Sequence, residues 1–201
     1  MISVSDSSSL SDRLNQLKAV RIPKGNFSVK LILIGDASVG KTSVTFRFME
    51  HHFQTNYITT LGVNILQKSQ KFTNDTNLNW IIWDMGGQDS YEIYRKRFYG
   101  GAVAAFMVFD KTNPTSFTNL ETKWLKEMVA ANLDLKSLPV VVVANKIDLK
   151  DQIKVSTTDI AAFAHKYQFD FAETSAKTGA NIEEAFQLLA YKYLQKVEFP
   201  P

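Results

Sequence analysis

The segment GDASVGKT, residues 35–42, matches the pattern GxxxxGK[ST] of a phosphate-binding loop. It follows an apolar run at residues 27–34 and opens a helical pattern at residues 41–50, which is the strand–loop–helix context that this motif requires. In that context the glycines let backbone N–H groups turn toward a polyphosphate, and the helix N-terminus adds the positive end of its dipole. Ordinary turn glycines are the alternative explanation, and the motif alone leaves ATP and GTP open.

Strand and helix patterns alternate along the rest of the chain. Strands are predicted at residues 27–34, 63–72, 78–84, 102–110, 139–145 and 170–173, and helices at residues 41–50, 116–131, 157–167 and 182–196. Continuous apolar strands such as VVVV at residues 140–143 are typical of a parallel sheet that is buried on both faces. The pattern predicts an α/β fold with a doubly wound, mostly parallel six-stranded sheet, one antiparallel edge strand and about five flanking helices. Ligands are expected at the carboxyl ends of the strands.

The chain is expected to form one domain, residues 26–197, between two short tails. Residues 1–25 are Ser-rich and end in a Pro-Lys-Gly turn signal, so a flexible N-terminal extension is predicted. Leu10, Leu14 and Leu17 recur at helical spacing, which leaves a short amphipathic helix as the alternative. Residues 198–201 are interpreted as the start of a C-terminal tail.

Composition excludes several classes of function. A net charge of +3 without a long Lys/Arg run predicts no nucleic-acid partner, and the absence of cysteine excludes disulfides and cysteine-based metal sites. No apolar run approaches the ~20 residues of a membrane-spanning helix, so a cytoplasmic protein is expected. Of the three histidines, His51 and His52 are neighbours that rarely aim at one metal ion, and His165 is interpreted as a surface residue.

Polar residues follow two of the later predicted strands. Asn145, Lys146 and Asp148 belong to the sequence NKID, which begins where an apolar strand ends. The Asp148 carboxylate can accept two N–H donors from guanine, whereas adenine would leave it unpaired, so this residue favours a guanine ligand over the ATP of an ATPase or kinase. The stem of Lys146 can lie along the base, and the Asn145 amide can tie neighbouring loops together. The residues that offer a backbone N–H to the guanine carbonyl after the next strand are Ser175, Ala176 and Lys177.

With these motifs in order, the sequence resembles the Ras superfamily of small GTPases over nearly all of residues 27–197. The five motifs of that family are present as GDASVGKT, Thr60, WDMGGQ, NKID and ETSAK. Within the superfamily the sequence is most similar to Rab proteins, since YITTLGV at residues 57–63 resembles the Rab first switch and FYGGA at residues 98–102 resembles the Rab stretch after the second switch. The resemblance implies a small G-protein fold that binds GTP or GDP with Mg²⁺ and hydrolyses GTP.

The resemblance also implies the ligands of the ion and of the nucleotide. Thr42, Thr60 and Asp84 match the residues that hold Mg²⁺, Asp84 usually through water. Phe53 is similar to the aromatic residue that packs against guanine, and Tyr57 to the switch tyrosine that covers the phosphates. The other residues expected to contact the nucleotide are Gly35, Ala37, Ser38, Val39, Gly40, Lys41, Ser43, Gly87, Asn145, Lys146, Asp148, Ser175, Ala176 and Lys177.

Three residues form the catalytic set that the resemblance implies. Gln88 matches the glutamine that positions the attacking water, Lys41 offsets charge on the β- and γ-phosphates, and the Gly87 N–H meets the γ-phosphate. No obvious intrinsic arginine finger is present, so slow hydrolysis is expected unless a partner supplies one. Ala37 stands where related proteins carry Gly or Ser and crowds the space in which Gln88 and that arginine meet. Gly86 creates a double glycine similar to the Arf family.

Two functions are compatible with these features. The first is a molecular switch in vesicle and membrane trafficking, which recruits effectors in its GTP state and is controlled by an exchange factor and a GTPase-activating protein. The second is a scaffold or recruitment module that stays GTP-bound. Ala37 and the double glycine of the second switch favour this alternative. The expected effector surface comprises Ile65, Trp83 and Phe98, with Ile65 at a position that is usually aromatic. Association with the cytosolic face of an intracellular membrane would depend on a lipidated tail absent from this chain.

Overall fold

The computed structural model describes residues 9–50, 60, 62–88 and 92–197, apart from the side chains of residues 92 and 93. Its centre is a sheet of six strands: β1 (Gly25–Ile34), β2 (Val63–Lys71), β3 (Thr76–Met85), β4 (Ala104–Asp110), β5 (Val140–Asn145) and β6 (Asp170–Glu173). The strand order is β2-β3-β1-β4-β5-β6; β2 is antiparallel to β3, and all other neighbours are parallel. The predicted sheet, mostly parallel with one antiparallel edge strand, is therefore confirmed.

Helices flank this sheet on both faces. They are α1 (Leu10–Lys18), α2 (Lys41–Glu50), α3 (Glu92–Phe98), α4 (Pro114–Asn119), α5 (Lys126–Ala130), α6 (Thr157–Tyr167) and α7 (Ile182–Leu194). A π-helical segment, Leu120–Leu125, joins α4 to α5, so residues 114–130 form one helix that contains a wider turn. With that helix counted once, the described residues contain six helices where about five were expected, and α1 and α3 lie outside the four helical ranges that the sequence predicted. Within the described ranges, no helix is both long and apolar enough to cross a membrane.

Two apolar layers, one on each face of the sheet, form the core. Alternate residues of β5 divide between them: Val141 and Val143 belong to the layer that contains α2 and α7, whereas Val140 and Val142 belong to the layer beneath the π-helical segment and α6. Every residue of β4 and β5 is buried. A strand with both faces in the core needs apolar side chains at every position, which explains the continuous apolar runs in the sequence.

Within residues 9–25, helix α1 stands in place of the flexible extension that was expected for residues 1–25. It begins with a capping box, in which the Asp12 N–H donates to Ser9 Oγ at 3.1 Å and the Ser9 N–H donates to Asp12 Oδ2 at 3.2 Å. Leu14 is only 3% exposed, and Leu10 and Leu17 pack against the same core layer. Serine content suggested disorder, but Ser9 is an N-cap and the leucines form a face that packs on α7. The amphipathic helix is the form present.

Arg13 attaches α1 to β6 at the edge of the sheet. Its guanidinium Nη2 donates to the Phe171 carbonyl at 2.7 Å and lies over the Phe171 ring, 4.5 Å from the centroid. Strand β6 has only one neighbour in the sheet, and edge strands carry backbone groups that lack a ladder partner. Arg13 therefore connects the N-terminal helix to the strand that leads into the loop at residues 174–177.

Candidate functional site

The loops that follow β1, β3, β5 and β6 meet at one edge of the sheet, because these strands run parallel to one another. The phosphate-loop motif follows β1, the second switch follows β3, and the two base motifs follow β5 and β6. Gly40 has a φ of 101°, and a Cβ at this position would lie 2.3 Å from Asn145 Nδ2. Glycine therefore permits the phosphate loop to approach the loop after β5.

The Asn145 side chain joins three loops. Its Nδ2 donates to the Val39 carbonyl at 3.0 Å, and its Oδ1 accepts from the Ala176 N–H at 3.1 Å. The Thr174 hydroxyl donates to the same Oδ1 over 3.4 Å. Because Asn145 is 2% exposed, these bonds form away from water. The phosphate loop and the loops after β5 and β6 are consequently held as one unit.

A cavity of about 260 Å³ opens beside these loops. Asp148 Oδ1 accepts a hydrogen bond from the Ser175 hydroxyl at 2.7 Å, and Lys146 Nζ lies 2.7 Å from Asp110 Oδ2. Burial acts against ionisation of Asp110, but the bonds from Lys146 and Thr112 hold its pKa below the ordinary value, so the carboxylate stays charged beside Lys146. The cavity is lined by Ser38, Gly40, Ser43, Asn145, Lys146, Asp148, Leu149, Ala176 and Lys177.

Lys41 is buried at the start of α2, behind the phosphate loop. Its Nζ donates to the carbonyl oxygens of Gly35 and Asp36, both at 2.7 Å. Burial lowers the pKa of Lys41 to about 8, against the opposing effect of the Asp84 and Asp36 carboxylates. An ammonium group bonds more strongly to an anion than to a neutral carbonyl. The loop therefore holds a cation that can change partners when a phosphate enters.

Three oxygen-bearing side chains meet beside Lys41. Thr42 Oγ1 lies 2.7 Å from Thr60 Oγ1 and donates to Asp84 Oδ2 at 2.6 Å. The second oxygen of Asp84, Oδ1, is buried and has no hydrogen-bond partner among the described residues. Burial raises the pKa of Asp84, and the Thr42 bond and the Lys41 charge oppose that shift. A partnerless carboxylate oxygen beside two hydroxyls fits a hard cation with oxygen ligands, such as Mg²⁺.

The second switch lies directly against the phosphate loop. A Cβ on Gly87 would be 2.4 Å from the Ala37 backbone nitrogen, so only glycine allows this approach. Gln88 and Ala37 line one small cavity together with Lys41 and Thr60. The structure thus brings together the three residues of the predicted catalytic set, and it places Ala37 next to them as the sequence indicated.

The predicted effector residues form one continuous surface. Ile65 and Trp83 are register partners on β2 and β3, and the rings of Trp83 and Phe98 are 5.5 Å apart. Ile65 is 49% exposed, and Lys30 Nζ lies 4.0 Å from the Trp83 ring centroid. The Trp83 Nε1 is buried without a hydrogen-bond partner in the described part of the chain.

Phe53, Tyr57, His51 and His52 lie outside the described residues, so the roles inferred for them stay predictions. His165 is exposed on α6. Across the described ranges, no group of three His, Cys, Asp or Glu side chains could hold a metal ion. The cluster around Thr42 differs from such a group, because it combines the hydroxyls of Thr42 and Thr60 with a single carboxylate, that of Asp84.

Several residues that support the site were not found from the sequence. In the phosphate loop, Asp36 accepts bonds from Trp124 Nε1 at 2.8 Å and from Asn119 Nδ2 at 2.7 Å. Beside the second switch, Arg95 and Glu127 form a buried ion pair. The partners in these contacts are separated by 32 to 88 positions. No local spacing announces such pairs, because only the fold brings them together.

The loop after β6 has supports of the same kind. Lys111 at the end of β4 pairs with Glu173, and Arg47 of α2 donates to the carbonyls of Ala176 and Lys177. These side chains hold the ends of the TSAK loop from two neighbouring elements. The sequence does not indicate this supporting role, because Lys111 simply follows a strand and Arg47 lies on an amphipathic helix.

Comparison with known proteins agrees with the motifs and with the geometry. The model of the Ras family matches residues 30–195. The chain is 38% identical to Ras-related protein Rab-10 of Diplobatis ommata over 168 residues, which are 83% of this chain and 82% of that protein. It is 36% identical to Ras-related protein Rab-7b of Mus musculus over 177 residues, covering 88% of this chain and 87% of the relative. For Ras-related protein Rab-8B of Homo sapiens the identity is 35% over 173 residues, or 86% and 81% of the two chains.

Proteins of this family bind GTP or GDP together with Mg²⁺ and interact with effectors, exchange factors and activating proteins. Five motifs in the family order, a P-loop fold and a match over most of the chain lead to one conclusion. The chain belongs to the Ras family and is a small GTPase, similar to Rab proteins, that hydrolyses GTP.

Proposed function

We propose that this protein is a molecular switch, which recruits effectors in its GTP state and ends that state by slow hydrolysis. The observation that carries the proposal is the contact of Thr60 with Thr42, which itself bonds Asp84. These residues come from three elements: the segment before β2, the start of α2 and the end of β3. A γ-phosphate and its cation at this point would hold the three elements together, and loss of the γ-phosphate would release Thr60.

The residues around the phosphates have complementary roles in the proposal. Mg²⁺, when bound, would offset the negative charge of the β- and γ-phosphates. Thr42, Thr60 and Asp84 would hold the ion, and the partnerless Asp84 Oδ1 supports that assignment. Lys41 would give up its two loop carbonyls for phosphate oxygens. The polyphosphate would be cradled by Gly35, Ala37, Ser38, Val39, Gly40 and Ser43, and covered by Tyr57.

Base selection is proposed to depend on the cavity beside Asn145. The Asp148 carboxylate would accept the two N–H donors of guanine, and the Lys146 stem would lie along the ring while its ammonium stays paired with Asp110. The loop at Ser175, Ala176 and Lys177 would donate a backbone N–H to the guanine carbonyl, and Phe53 would pack on the base. An adenine ring would leave Asp148 without a partner in a partly buried site, which disfavours ATP.

Hydrolysis is proposed to proceed by in-line attack of water on the γ-phosphorus, with cleavage of the bond to the β-phosphate oxygen. Gln88 would orient the water, and the Gly87 N–H would bond a γ-phosphate oxygen. Lys41 would stabilise the charge that develops toward the leaving GDP, so no residue has to act as a strong base. Slow turnover is expected because no side chain described around Gln88 supplies an arginine finger, and because the Ala37 methyl narrows the entry for one from a partner.

Partners and location are proposed from the surface and from the relatives. The surface of Ile65, Trp83 and Phe98 would bind effectors, while exchange and activating proteins would act on the two switches. Relatives named Rab support a role in vesicle and membrane trafficking at the cytosolic face of an intracellular membrane. The alternative of a permanently GTP-bound scaffold is not favoured by membership of a family of GTPases.

The test is single-turnover hydrolysis of Mg²⁺·GTP by the full chain and by Gln88→Leu. Misplacement of the attacking water predicts a decrease of about tenfold or more in the variant. Gln16→Leu, which changes an exposed glutamine on α1, is the matched control and keeps the wild-type rate. Equal rates in wild type and Gln88→Leu would contradict the role of Gln88, and undetectable hydrolysis in both would support the scaffold. Chelation of Mg²⁺ should abolish turnover and accelerate nucleotide release.

A further inference from the structure

Arg95 on α3 is an arginine that the family motifs leave without a role. It is 1% exposed, although α3 lies at the surface beside the second switch and its neighbour Arg97 is exposed. Nε and Nη2 of Arg95 donate to Oε1 and Oε2 of Glu127, both at 2.8 Å. This is the two-pronged geometry that fixes a guanidinium most firmly in place.

The remaining nitrogen of Arg95 holds the second switch. Nη1 donates to the Gly86 carbonyl at 3.0 Å and to the Gln88 carbonyl at 2.5 Å. These carbonyls flank Gly87, whose backbone lies against the phosphate loop. One fixed guanidinium thus bonds the main chain on both sides of the glycine that approaches the phosphate site.

The same arginine is connected to the phosphate loop through Trp124. Its guanidinium lies 4.8 Å from the centre of the Trp124 ring, and Trp124 Nε1 donates to Asp36 Oδ1 at 2.8 Å. The Tyr99 hydroxyl donates at 2.6 Å to Glu127 Oε1, the oxygen that also accepts from Arg95 Nε, and adds a further bond that fixes the carboxylate. A continuous path of contacts therefore runs from the second switch through the ion pair and the indole to the phosphate loop.

We propose that Arg95 is a positioning residue, which holds Gly86 and Gln88 at a fixed place relative to the phosphate loop and so presents Gln88 for hydrolysis. The part that concerns hydrolysis rests on the role proposed above for Gln88. The part that concerns the backbone is independent of that role, because Arg95 would hold Gly86 and Gln88 in place whichever nucleotide is bound.

A purely stabilising role explains these contacts less well. A buried ion pair adds little to stability compared with apolar side chains of the same volume, because both charges lose their hydration. An apolar pair, however, could not donate to the Gly86 and Gln88 carbonyls. The double glycine makes the main chain here unusually free, and Arg95 supplies bonds that restrict it.

The first test is hydrogen exchange of the amides at residues 86–88 in the full chain bound to GDP and Mg²⁺. Arg95→Lys keeps the charge but loses the fork, and we expect exchange at these amides to rise about tenfold, since bonds from a charged donor are lost. Arg97→Lys is the matched control on the same helix and should leave exchange unchanged. The double variant Arg95→Met with Glu127→Gln removes both charges and keeps an acceptor for Tyr99, so it leaves no unpaired buried charge that could unfold the protein. Amide exchange at residues 86–88 should rise in this variant as well.

The second test is a double-mutant cycle of single-turnover GTP hydrolysis with Arg95→Lys and Gln88→Leu. If Arg95 acts through Gln88, Arg95→Lys slows the wild type about tenfold but has no further effect on Gln88→Leu. A merely structural role would slow both backgrounds equally and would overturn this part of the proposal. Unchanged exchange at residues 86–88 in both Arg95 variants would overturn the holding role. If Gln88→Leu alone leaves the hydrolysis rate unchanged, the proposed function fails. The hydrogen exchange at residues 86–88 then still decides whether Arg95 holds the backbone.

Discussion

The loops around the base cavity and the second switch are held in place by different kinds of residue. Around the base cavity, motif residues bond to one another: Asn145 bonds Val39 and Ala176, and Ser175 bonds Asp148. The same residues that touch the base are proposed to keep their own loops in register. On this side of the site the recognition motifs supply much of their own scaffold, and Arg47 and Lys111 add support to the loop after β6.

The second switch depends on residues outside its motif. Arg95 from α3 bonds the Gly86 and Gln88 carbonyls, and its charge is balanced by Glu127 from α5. The comparison shows why one side of the site can be inferred from short motifs and the other cannot. It also suggests that residues around the second switch can vary the hydrolysis rate without changing which base is bound. The following predictions test this division, in order of decreasing effect.

Exchange of Asp148 for Asn is expected to have the largest effect. The variant loses the acceptor for the guanine N–H donors, so the preference for GTP over xanthosine triphosphate should fall about a thousandfold or more. Competition binding with the two nucleotides measures this ratio. Asp151→Asn, at an exposed carboxylate three positions away, should leave it unchanged. An unaltered ratio in Asp148→Asn would remove Asp148 from the base site.

Asn145→Ala tests whether a motif residue supports its own loops. The substitution leaves the Val39 carbonyl and the Ala176 N–H without their partner, and we expect a loss of about 3 kcal/mol in the free energy of unfolding. Urea unfolding at a fixed excess of GDP and Mg²⁺ measures it. Asn15→Ala, at an exposed position of α1, should change stability by less than about 0.5 kcal/mol. A comparably small loss in Asn145→Ala would contradict the distinction between the two sides.

Trp124→Phe tests the support from outside the motifs. It removes the donor to Asp36 and keeps an aromatic ring beside Arg95, so a loss of about 1.5 kcal/mol is expected from this bond. Trp83→Phe is the matched control, since the buried Trp83 Nε1 makes no hydrogen bond to any described residue. The difference in urea unfolding between the two variants isolates the bond. Equal losses would mean that Trp124 acts only by packing.

Ser9→Ala is expected to have the smallest effect. It removes the cap of α1, which should cost about 1 kcal/mol of unfolding free energy and loosen the helix that bonds β6 through Arg13. Ser11→Ala is the control, because Ser11 is an exposed residue in the first turn of the same helix. It should leave the free energy of unfolding nearly unchanged. Faster release of GDP from Ser9→Ala would show that α1, in addition to Arg47 and Lys111, supports the base side from outside its motifs. That result would weaken the comparison drawn above.

The sheet and the nucleotide-site cluster were predictable because their signals are local. The apolar run at residues 140–143 reports a doubly buried strand, and each motif directly follows the strand that carries it. Parallel strands then bring Thr42 and Asp84 to one edge, without knowledge of any contact between side chains.

Arg95 shows what the sequence could not indicate. It stands next to Lys96 and Arg97 in a basic run that suggests a solvated face, yet it is the buried member. Arg95 is buried, rather than Lys96 or Arg97, because it pairs with Glu127, which lies 32 positions away in the sequence. Helix α1 was only the alternative in the sequence for a related reason, since its leucines gain stability only against α7, at the other end of the chain.

The π-helical segment has a consequence for the insertion and deletion of residues. Asn119 and Trp124, five positions apart, bond the two oxygens of the same Asp36 carboxylate. In a regular α-helix such residues would point about 140° apart, and the wider turn is what brings them to one side. Regularising this segment to an α-helix without changing its length would turn one donor away from Asp36, whereas deleting one residue between them would leave both donors four positions apart and still on one side. A helix grafted from a relative could therefore serve Asp36 with five positions in a π-helical turn or with four in a regular α-helix, but not with five in a regular one.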